Sequence, residues 1–395
     1  MTRILAGPTA TQLLGDLGAD VIKVERAGAG DDTRRWGPPF LKGEDGEDTT
    51  ESAYFLSANR SKRSLTLDLS RPAGVALAKQ LIAKCDVLVE NFKVGDLAAR
   101  GLGHEDLRRE FPRLVYCSIT GFGQDGPYAP RAGYDLAIQA MGGIMSITGD
   151  RDGEPAKVGV GVADVMCGMY AVTAILAALR HRDRSGEGQH VDAALLDSQV
   201  AWLINAGMNH LIGGEAFVQG RMGTAHPNIV PYQALPASDG YFILAVGNDG
   251  QFRKFCDLAG LADLPDDARF ATNAARVGNR EALIPLLREA TAKRPAKFWL
   301  DGLAPLAVPA APVNDIPEVF DDPQVQYRGM RIDLPHPLAG GGTVPLIASP
   351  VRLSATPVEY RHAPPTLGQH TDEILRDLAG MDADEIARLR DDGII

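Results

Sequence analysis

The longest uninterrupted apolar stretch of the chain runs from Val165 to Leu179. It is too long for a strand and rich in alanine, leucine and methionine, so it predicts a buried helix. Arg180-His181-Arg182 and then Gly186 follow it, which is typical of a helix C-terminus. Asp164 stands immediately before the run and therefore at the predicted helix N-terminus. The small residues over 158–162 predict a short strand or an extended approach to it.

Before this helix, short apolar runs alternate with helical patterns along the chain. The runs predict strands over 19–25, 64–69, 86–90 and 114–120, and the patterns predict helices over 8–17 and 71–84. This alternation indicates an α/β domain with a mostly parallel, Rossmann-like sheet. Ligands bind beyond the carboxyl ends of such strands, where Arg26, Asn91 and Gly121 fall. The acidic residues 41–53 predict a mobile loop.

The character of the chain changes after the long helix. Residues 191–212 predict a second long apolar helix, and 220–233 are rich in turn residues. A strand over 241–246 and helices over 251–258, 280–292 and 296–303 indicate a smaller α+β domain at 215–320. Residues 305–317 resemble a linker, and Gly340-Gly341-Gly342 predicts a turn between two short strands. We expect 1–200 to form the large domain together with 330–395, which ends in helices over 370–378 and 385–390.

Composition narrows the classes of function. The formal charge is −11, with 45% hydrophobic and 23% charged residues. These values are typical of a globular protein and disfavour nucleic acid as a partner. No run approaches 18 uncharged apolar residues and no signal peptide is evident, so we expect a cytoplasmic protein outside the membrane. The four cysteines lack CxxC spacing, so they predict free thiols and no metal site.

The motifs of the commonest hydrolases and metal enzymes are missing from the sequence. There is no GxSxG, HExxH or P-loop pattern. The GxG at Gly28–Gly30 lacks the third glycine of a dinucleotide site. The remaining candidate is Asp164, which has two interpretations. It is either a helix cap worth about 1 kcal/mol, or a nucleophile or base approached through glycines. Local sequence leaves both interpretations open.

Eight segments in order resemble one family along nearly the whole chain. They are LAGPTATQLLGDLGADVIKVER, SANRSKRSLTLDL, DVLVENF, SITGFGQDGP, RAGYDLAIQAMGG, GVADVMCGMYAVTAILAAL, GEGQHVDAALLD and LGQHTDEIL. They are similar to family III CoA-transferases, the carnitine dehydratase and bile-acid-inducible protein F family. The resemblance implies an interlocked homodimer of open rings. Relatives carry a further N-terminal segment with the first strand of the sheet, so either the true start lies upstream of Met1 or the sheet does without that strand.

The resemblance also implies the chemistry. The aspartate of the segment matched by Gly161-Val162-Ala163-Asp164 is the family's nucleophile. A carboxylate that attacks a thioester forms an acyl anhydride, and the released thiolate then forms an aspartyl-CoA thioester. Such an exchange implies CoA and acyl-CoA as substrates, with no permanently bound cofactor and no metal.

Binding residues carry over by position. For CoA, the resemblance implies Arg26 and Asn91. Arg100 is less well matched, because relatives carry the arginine at the position that Ala99 occupies here. Tyr134 and Asp135 are implied to line the site. A glycine loop that covers the site is implied at Gly220–His226, including Gly223 and His226, although this segment could be only an interdomain turn.

The nearest resemblance is to members that use succinyl-CoA with glutarate or hydroxymethylglutarate. It rests on the strings GAGDDTRRWGPPF, RAGYD and RMGTAHPNIVPYQA. A short dicarboxylic acceptor is therefore expected, and an arginine should pair with its distal carboxylate. Arg34, Arg35 and Arg221 are the candidates. Arg60 and Arg63 could also meet anions, although single loop arginines are usually solvated.

Two alternatives remain. An α-methylacyl-CoA racemase of the same family needs two acid/base groups. Racemases place a histidine where Gly133-Tyr134-Asp135 has a tyrosine, and an ordinary tyrosine is a poor base at neutral pH. A non-catalytic acyl-CoA-binding protein is the other alternative, and Asp164 argues against it.

Overall fold

A computed structural model describes residues 1–216 and 219–395 of the chain. The strands are β1 (Val21–Glu25), β2 (Phe40–Lys42), β3 (Asp48–Ser52), β4 (Lys62–Thr66), β5 (Val87–Glu90), β6 (Val115–Thr120), β7 (His190–Ala194), β8 (Tyr232–Ala237), β9 (Gly240–Ala245), β10 (Ala310–Pro312), β11 (Arg331–Pro335) and β12 (Thr343–Ile347). The helices are α1 (Ala6–Asp16), α2 (Ala53–Ser57), α3 (Pro72–Ile82), α4 (His104–Glu110), α5 (Asp135–Met141), α6 (Ile144–Ile147), α7 (Val162–Ser185), α8 (Leu195–Ala201), α9 (Ile204–Gly213), α10 (Asp249–Ala259), α11 (Asn273–Gly278), α12 (Arg280–Thr291), α13 (Ala296–Leu303), α14 (Ile316–Asp321), α15 (Pro323–Tyr327), α16 (Thr371–Ala379) and α17 (Ala383–Asp391).

The predicted long helix is α7, and its position in the chain is confirmed. Gly161 caps its N-terminus, and Gly186 ends it in the left-handed conformation with φ of 81°. Its buried stripe, which includes Cys167, Ala171 and Ile175, packs against α1, β6 and β7. By length and composition alone α7 could cross a membrane, a test that core helices of soluble proteins also pass.

The four strands that the sequence predicted before α7 (β1, β4, β5 and β6) are in parallel pairs, as expected, but they lie in two sheets instead of one. β1 pairs with β4, and β5, β6 and β7 form a second sheet in that order. Residues 1–4 lie between the sheets. The Met1 amino group donates to the Val89 carbonyl at 2.9 Å, and Lys23 Nζ donates to the Thr2 carbonyl at 3.0 Å. Because this segment is irregular, neither sheet continues across it.

The predicted helix over 191–212 is wrong at its start and is interrupted in its middle, whereas its end agrees with the structure. Its first residues belong to β7, which pairs along its length with β6. The rest forms two helices, α8 and α9, which are interrupted at Trp202-Leu203. Ile204 has a φ of 41°, a conformation that a continuous right-handed helix cannot contain. Continuous apolarity concealed both the strand and the break.

Two predicted irregular segments are in fact ordered. Residues 41–53 form most of the β2–β3 hairpin, and Glu51 and Ser52 are buried there. The 305–317 segment contains β10 and the start of α14, whose cap is Asp315. Conversely, 158–162 forms no strand: the chain bends at residues 159 and 160 and enters α7 at Val162. The polar composition of 41–53 suggested a loop, but the one buried charge of the hairpin, Glu51, is paired with an arginine described below.

The chain divides into two compact units. The first comprises Met1–Gly142, Val158–Leu203 and Pro323–Ile395. It contains both parallel sheets, α7, and the predicted pair of short strands, β11 and β12, which flank the glycine turn. The predicted C-terminal helices are α16 and α17.

The second unit comprises Gly143–Lys157 and Ile204–Asp322. Its antiparallel sheet has the order β10-β9-β8. The core of this unit surrounds Trp299, whose ring stacks on Phe242 at a centroid distance of 5.9 Å. Residues 215–320 lie within this unit. The unit also includes residues 143–157, which precede α7 in the chain.

Candidate active site

Asp164 is the third residue of α7, and its position is fixed by the turn that starts the helix. The backbone N–H of Ala163 donates to Asp135 Oδ1 at 2.9 Å. A Cβ added at Gly161 would lie 2.9 Å from Leu5 Cδ2 and 3.7 Å from Asp164 Oδ2. A side chain there would have to displace Leu5 from the helix start. Of the glycines in this approach, Gly161 therefore serves close packing around the carboxylate, whereas a Cβ at Gly159 would meet no atom within 4 Å.

The pKa of Asp164 is raised from 3.8 to about 7. Burial is the main cause, the negative charge of Asp135 adds to it, and a hydrogen bond from the Ala6 backbone acts in the opposite direction. The helix dipole also favours the ionised form, by up to about 1 kcal/mol near a helix N-terminus. Burial and the neighbouring charge outweigh both stabilising effects. Asp164 consequently titrates near neutral pH, in the range where a carboxylate can act as a nucleophile or a base.

Asp135 holds the approach to the helix as well as its first turn. Its second oxygen, Oδ2, accepts from Gln139 Nε2 at 2.7 Å. Gln139 Oε1 in turn accepts from the Val158 backbone N–H at 2.9 Å. Together with the bond to Ala163, this chain of hydrogen bonds ties α5 to the segment that leads into α7. Asp135 therefore orients Asp164 and also raises its pKa.

Two adjoining clefts border this region. The smaller, of about 130 Å³, is lined by Asp164, Tyr134 and residues at the ends of β5 and β6, and we call it the Asp164 cleft. The larger cleft, of about 410 Å³, is lined by residues of the chain start, the end of β1 and the segment after β5. Arg3, Phe92 and Lys93 line both clefts. An elongated ligand could therefore extend from one cleft into the other.

The wall of the Asp164 cleft depends on two glycines that meet across it. A Cβ added at Gly121 would lie 2.6 Å from Gly133 Cα, and one added at Gly133 would lie 2.5 Å from Gly121 Cα. Neither position can carry a side chain while the other stays in place. Their contact brings the loop after β6 against the segment that leads into α5. This contact places Tyr134 at the cleft.

The residues expected to bind CoA fall in three different places. Arg26 is exposed at the end of β1 and lines the larger cleft. Asn91 lines the Asp164 cleft, but its amide is engaged with the Arg3 backbone. It accepts from Arg3 N at 3.0 Å and donates to Arg3 O at 2.8 Å. Arg100 lines neither cleft, and its Nη1 donates to the Asp96 carbonyl at 2.6 Å. Asn91 thus fixes residue 3, and Arg100 is not brought to the clefts.

Arg34 is not available to a substrate, which corrects its place among the candidate carboxylate-binding residues. It is 5% exposed, and its guanidinium lies 3.6 Å from the ring centroid of Phe55. Its Nε and Nη2 donate to the two oxygens of Glu25 at 2.9 and 2.8 Å, and Nη1 donates to Glu51 at 2.8 Å. Nη2 also donates to the Pro365 carbonyl at 3.0 Å. Arg34 is therefore a structural cation.

Arg60 and Arg63 are also structural, although the sequence favoured solvated side chains. Arg60 is buried and pairs with Asp16 at 2.5 Å. Arg63 pairs with Asp20 at 2.5 Å and with Glu373 at 2.8 Å. The neighbouring candidate Arg35 is exposed and lines neither cleft.

The expected loop over the site belongs to the second unit and is bound within it. The Gly223 N–H donates to the Gly149 carbonyl at 3.0 Å, with a φ of 60° at Gly223. Arg221 donates through Nε to Asp150 O at 3.1 Å and through Nη2 to Gly153 O at 2.6 Å. His226 Nδ1 accepts from the Asn228 N–H at 3.0 Å, and burial followed by the charge of Arg280 lowers its pKa. In this arrangement the Arg221 guanidinium binds backbone carbonyls.

Several residues at the site were not predicted from the sequence. Burial raises the pKa of Tyr54, and the charges of Asp164, Asp135 and Asp31 raise it further, so this phenol stands near the site. Arg3, Lys93 and Arg131 are the basic residues that line the Asp164 cleft. Two of these basic residues could have been found from their neighbours in the chain. Lys93 is two positions after Asn91, and Arg131 begins the same RAGYD string that contains Tyr134.

Metal-binding groups are not found in the part of the chain that the structure describes. No group of three or more histidine, cysteine, aspartate or glutamate side chains there could hold an ion. The four cysteines are free, and three of them are buried. Burial is the first cause of the raised pKa of each buried thiol, so these thiols behave as apolar packing groups.

Comparisons with known proteins identify the family of the chain. The family model for CoA-transferase family III matches residues 1–371. The chain is 51% identical to a succinate–glutarate CoA-transferase of Agrobacterium fabrum, over 96% of this chain and 93% of the relative. It is 45% identical to the human succinyl-CoA:glutarate CoA-transferase, over 100% of this chain and 88% of the relative.

Solved structures give the same result. A crystal structure of a CaiB/BaiF family protein from Brucella suis is 50% identical and superposes with a TM-score of 0.83, over 96% of this chain and 97% of the other. A crystal structure from Mycobacterium tuberculosis is 31% identical, with a TM-score of 0.81 over 94% of this chain and 95% of the other. The mixed α/β architecture, α7 with Asp164 in its first turn and these matches lead to one conclusion: the chain belongs to the family III CoA-transferases, and it is an enzyme of that family.

Proposed function

We propose that this enzyme transfers CoA from succinyl-CoA to a short dicarboxylic acid such as glutarate, with Asp164 as the nucleophile. One observation carries the role of Asp164. Among the described residues that line the cleft around it, Asp164 is the only carboxylate, and its pKa is close to neutral. The substrates are proposed because full-length relatives named for succinate or succinyl-CoA and glutarate are 45–51% identical to this chain.

The proposed reaction proceeds through covalent intermediates on Asp164. One carboxylate oxygen attacks the thioester carbonyl of succinyl-CoA, the C–S bond breaks, and a mixed anhydride and CoA thiolate form. The thiolate attacks the aspartyl carbonyl of the anhydride, which releases succinate and leaves an aspartyl-CoA thioester. The acceptor carboxylate then attacks the aspartyl-CoA thioester, which forms a second mixed anhydride and releases CoA thiolate. The thiolate attacks the acceptor's carbonyl in this anhydride, which yields the new acyl-CoA and regenerates the Asp164 carboxylate. Each step exchanges one acyl bond for another, so this series of reactions needs no redox partner.

CoA is proposed to lie along the two clefts. Its reactive sulfur must reach Asp164, and its phosphates need cations. Arg26 in the larger cleft and Lys93 at the junction can supply positive charge, and Phe92 lies at the same junction. Asn91 contributes by holding the Arg3 backbone at the junction. Tyr134 and Asp135 complete the acyl end of the site, and the glycine loop with Gly223 and His226 remains the proposed cover.

A substrate panel tests the proposed reaction. With succinyl-CoA as donor, we expect glutarate to be converted with a kcat/KM at least about 100-fold higher than that of butyrate, because an unpaired distal carboxylate is costly to desolvate. Liquid chromatography of the CoA thioesters formed from equal concentrations of acids would measure this. Equal use of glutarate and butyrate would contradict a dicarboxylate substrate. Racemisation of a 2-methylacyl-CoA without transfer would favour the racemase alternative instead.

We also propose the interlocked homodimer expected for the family. The large domain comprises 1–200 without 143–157, together with 330–395, and the small domain comprises 215–320 together with 143–157. Apolar exposure supports it. On α7, Met169, Tyr170 and Leu176 are each 45–48% exposed, and on α9 Leu211 and Ile212 are more than three-quarters exposed. Large apolar side chains exposed along helices are typical of surfaces that a partner covers. The four free cysteines agree with a cytoplasmic location.

Light scattering tests the dimer. Below micromolar chain concentration, we expect a mass of two chains that does not fall on dilution, because interlocked chains cannot separate without unfolding. Paired substitutions Leu211→Lys and Ile212→Lys should reduce the recovery of the dimer. A wild-type mass of one chain would contradict the proposal.

A further inference from the structure

The basic residues of the Asp164 cleft are not equivalent. Arg3 and Lys93 also line the larger cleft, whereas Arg131 lines the Asp164 cleft alone. Arg3 is already paired, since its Nη1 lies 2.7 Å from Asp32 Oδ2. Among the described residues, Arg131 is therefore the one cation confined to the cleft that holds the nucleophile. An anion that reaches it must be close to the reacting end of the substrate.

The guanidinium of Arg131 is held by aromatic rings and not by acids. It lies 4.5 Å from the ring centroid of Tyr128 and 5.3 Å from that of Phe122. These two rings contact each other edge to face at 5.6 Å, and the Arg131 backbone N–H donates to the Tyr128 carbonyl at 2.9 Å. Throughout the described part of the chain, no acid forms an ion pair with Arg131 and no side-chain hydrogen bond from it is formed.

Such an arrangement is suited to binding an external anion. Stacking against rings fixes the plane of a guanidinium and leaves the N–H groups at its edge available. Arg34 shows the opposite case in this chain, with every nitrogen committed to protein oxygens. A carboxylate matches the edge of a guanidinium with two parallel hydrogen bonds.

We propose that Arg131 binds the distal carboxylate of the dicarboxylic acid whose other carboxylate reacts at Asp164. This inference rests on the proposed function and assigns its specificity to one residue. The phosphates of CoA are the other anions of the reaction. They lie at the far end of the cofactor chain from the sulfur, which places them toward the larger cleft and its own cations. The acid group of the acyl portion is the anion that stays within the Asp164 cleft.

The experiment compares two acceptors in the intact enzyme. In a reaction with a covalent enzyme intermediate, kcat/KM for the acceptor reports only the second half of the exchange, so the succinyl-CoA donor does not enter the ratio. For Arg131→Met, we expect kcat/KM for glutarate to fall about 100-fold and that for butyrate to change less than about threefold. Arg131→Lys, which keeps the charge but not the paired donors, should lie between wild type and Arg131→Met.

The matched control is Arg108→Met. Arg108 is an exposed arginine of α4 that lines neither cleft, so its loss changes the net charge equally without touching the site. It should leave the glutarate-to-butyrate ratio unchanged. Glutaramate, which replaces the distal carboxylate with an amide, supplies a second control. Wild type should have a lower kcat/KM for glutaramate than for glutarate, whereas Arg131→Met should have similar kcat/KM values for the two.

The outcomes separate the inference from the proposed function. If wild type does not prefer glutarate to butyrate, both are overturned. If wild type prefers glutarate but Arg131→Met lowers both acids equally, or mainly weakens CoA binding in calorimetry, the inference alone is overturned. If Arg131→Met does not fold, the inference is tested with Arg131→Lys by its kcat/KM ratio for glutarate over butyrate, and with wild type by its kcat/KM ratio for glutarate over glutaramate.

Discussion

Asp164→Ala is expected to lower the rate of CoA transfer by about 10⁴-fold or more, because the covalent route has no other carboxylate to use. In the Asp164 cleft, no second aspartate or glutamate stands among the described lining residues. Asp135 faces the same helix start, but its two oxygens accept from Ala163 and Gln139. The helix and its buried stripe do not depend on the Asp164 side chain, so the variant should fold and bind CoA.

The covalent intermediate gives a direct measurement. Wild type incubated with succinyl-CoA and then hydroxylamine should show a hydroxamate at Asp164 by peptide mass spectrometry. Asp125→Ala is the control, since Asp125 is an exposed carboxylate that does not line the cleft. It should keep wild-type activity and the same adduct. An adduct on another residue, or substantial transfer by Asp164→Ala, would show that Asp164 is not the nucleophile.

The raised pKa of Asp164 also predicts a pH dependence of stability. Its pKa is about 7 in the folded chain and 3.8 as the ordinary value, so the folded state holds this proton more tightly. Wild type therefore loses stability as pH rises between these two values. Asp164→Asn carries no such group and should be more stable than wild type by about 2 to 4 kcal/mol at pH 8, with little difference at pH 4. Urea unfolding at the two pH values measures this.

The local sequence was enough to predict the helices and turns that have a clear apolar pattern and clear end signals. The α7 helix combined a long apolar run with a glycine at each end, so its existence and its end at Gly186 could be predicted, although it starts at Val162, within the segment predicted to be extended. The β11–β12 turn followed from three successive glycines. The break between α8 and α9 could not be predicted, because the residues around Trp202 and Ile204 are as apolar as their neighbours. Only packing distinguishes the strand, the two helices and the break between them.

The roles of the arginines were the least predictable part of the site. Arg34, Arg35 and Arg131 all stand in segments that resemble the family, but the sequence suggested only the first two as carboxylate-binding residues. The difference lies in partners that are distant in the chain. Glu51 and Pro365 engage Arg34, whereas Tyr128 and Phe122 hold Arg131. An arginine becomes structural or available to a ligand according to these contacts, which no local pattern specifies.

Arg34→Met is expected to lower the free energy of unfolding by about 3–5 kcal/mol at pH 7. The variant keeps an apolar side chain next to Phe55, so the main loss is electrostatic. Two buried carboxylates, Glu25 and Glu51, lose the cation between them, and the Pro365 carbonyl loses a donor. Urea unfolding followed by circular dichroism measures the loss. Arg35→Met, at the exposed neighbouring position, should change stability by no more than about 0.5 kcal/mol.

The size of this loss should depend on pH, with a sign set by the two glutamates. Burial by itself raises the pKa of Glu25, but Arg34 and Lys23 bring it below the ordinary value. Burial raises the pKa of Glu51 despite the opposing charge of Arg34, and the Glu25 charge raises it further. Without Arg34, both pKa values should rise, so the variant should hold these protons more tightly when folded and lose stability as pH increases. The deficit of Arg34→Met should therefore be larger at pH 7 than at pH 4.5, and Glu51→Gln in the same chain should recover part of it. A deficit that is equal at both pH values and unaffected by Glu51→Gln would assign the loss to packing against Phe55 instead of to charge.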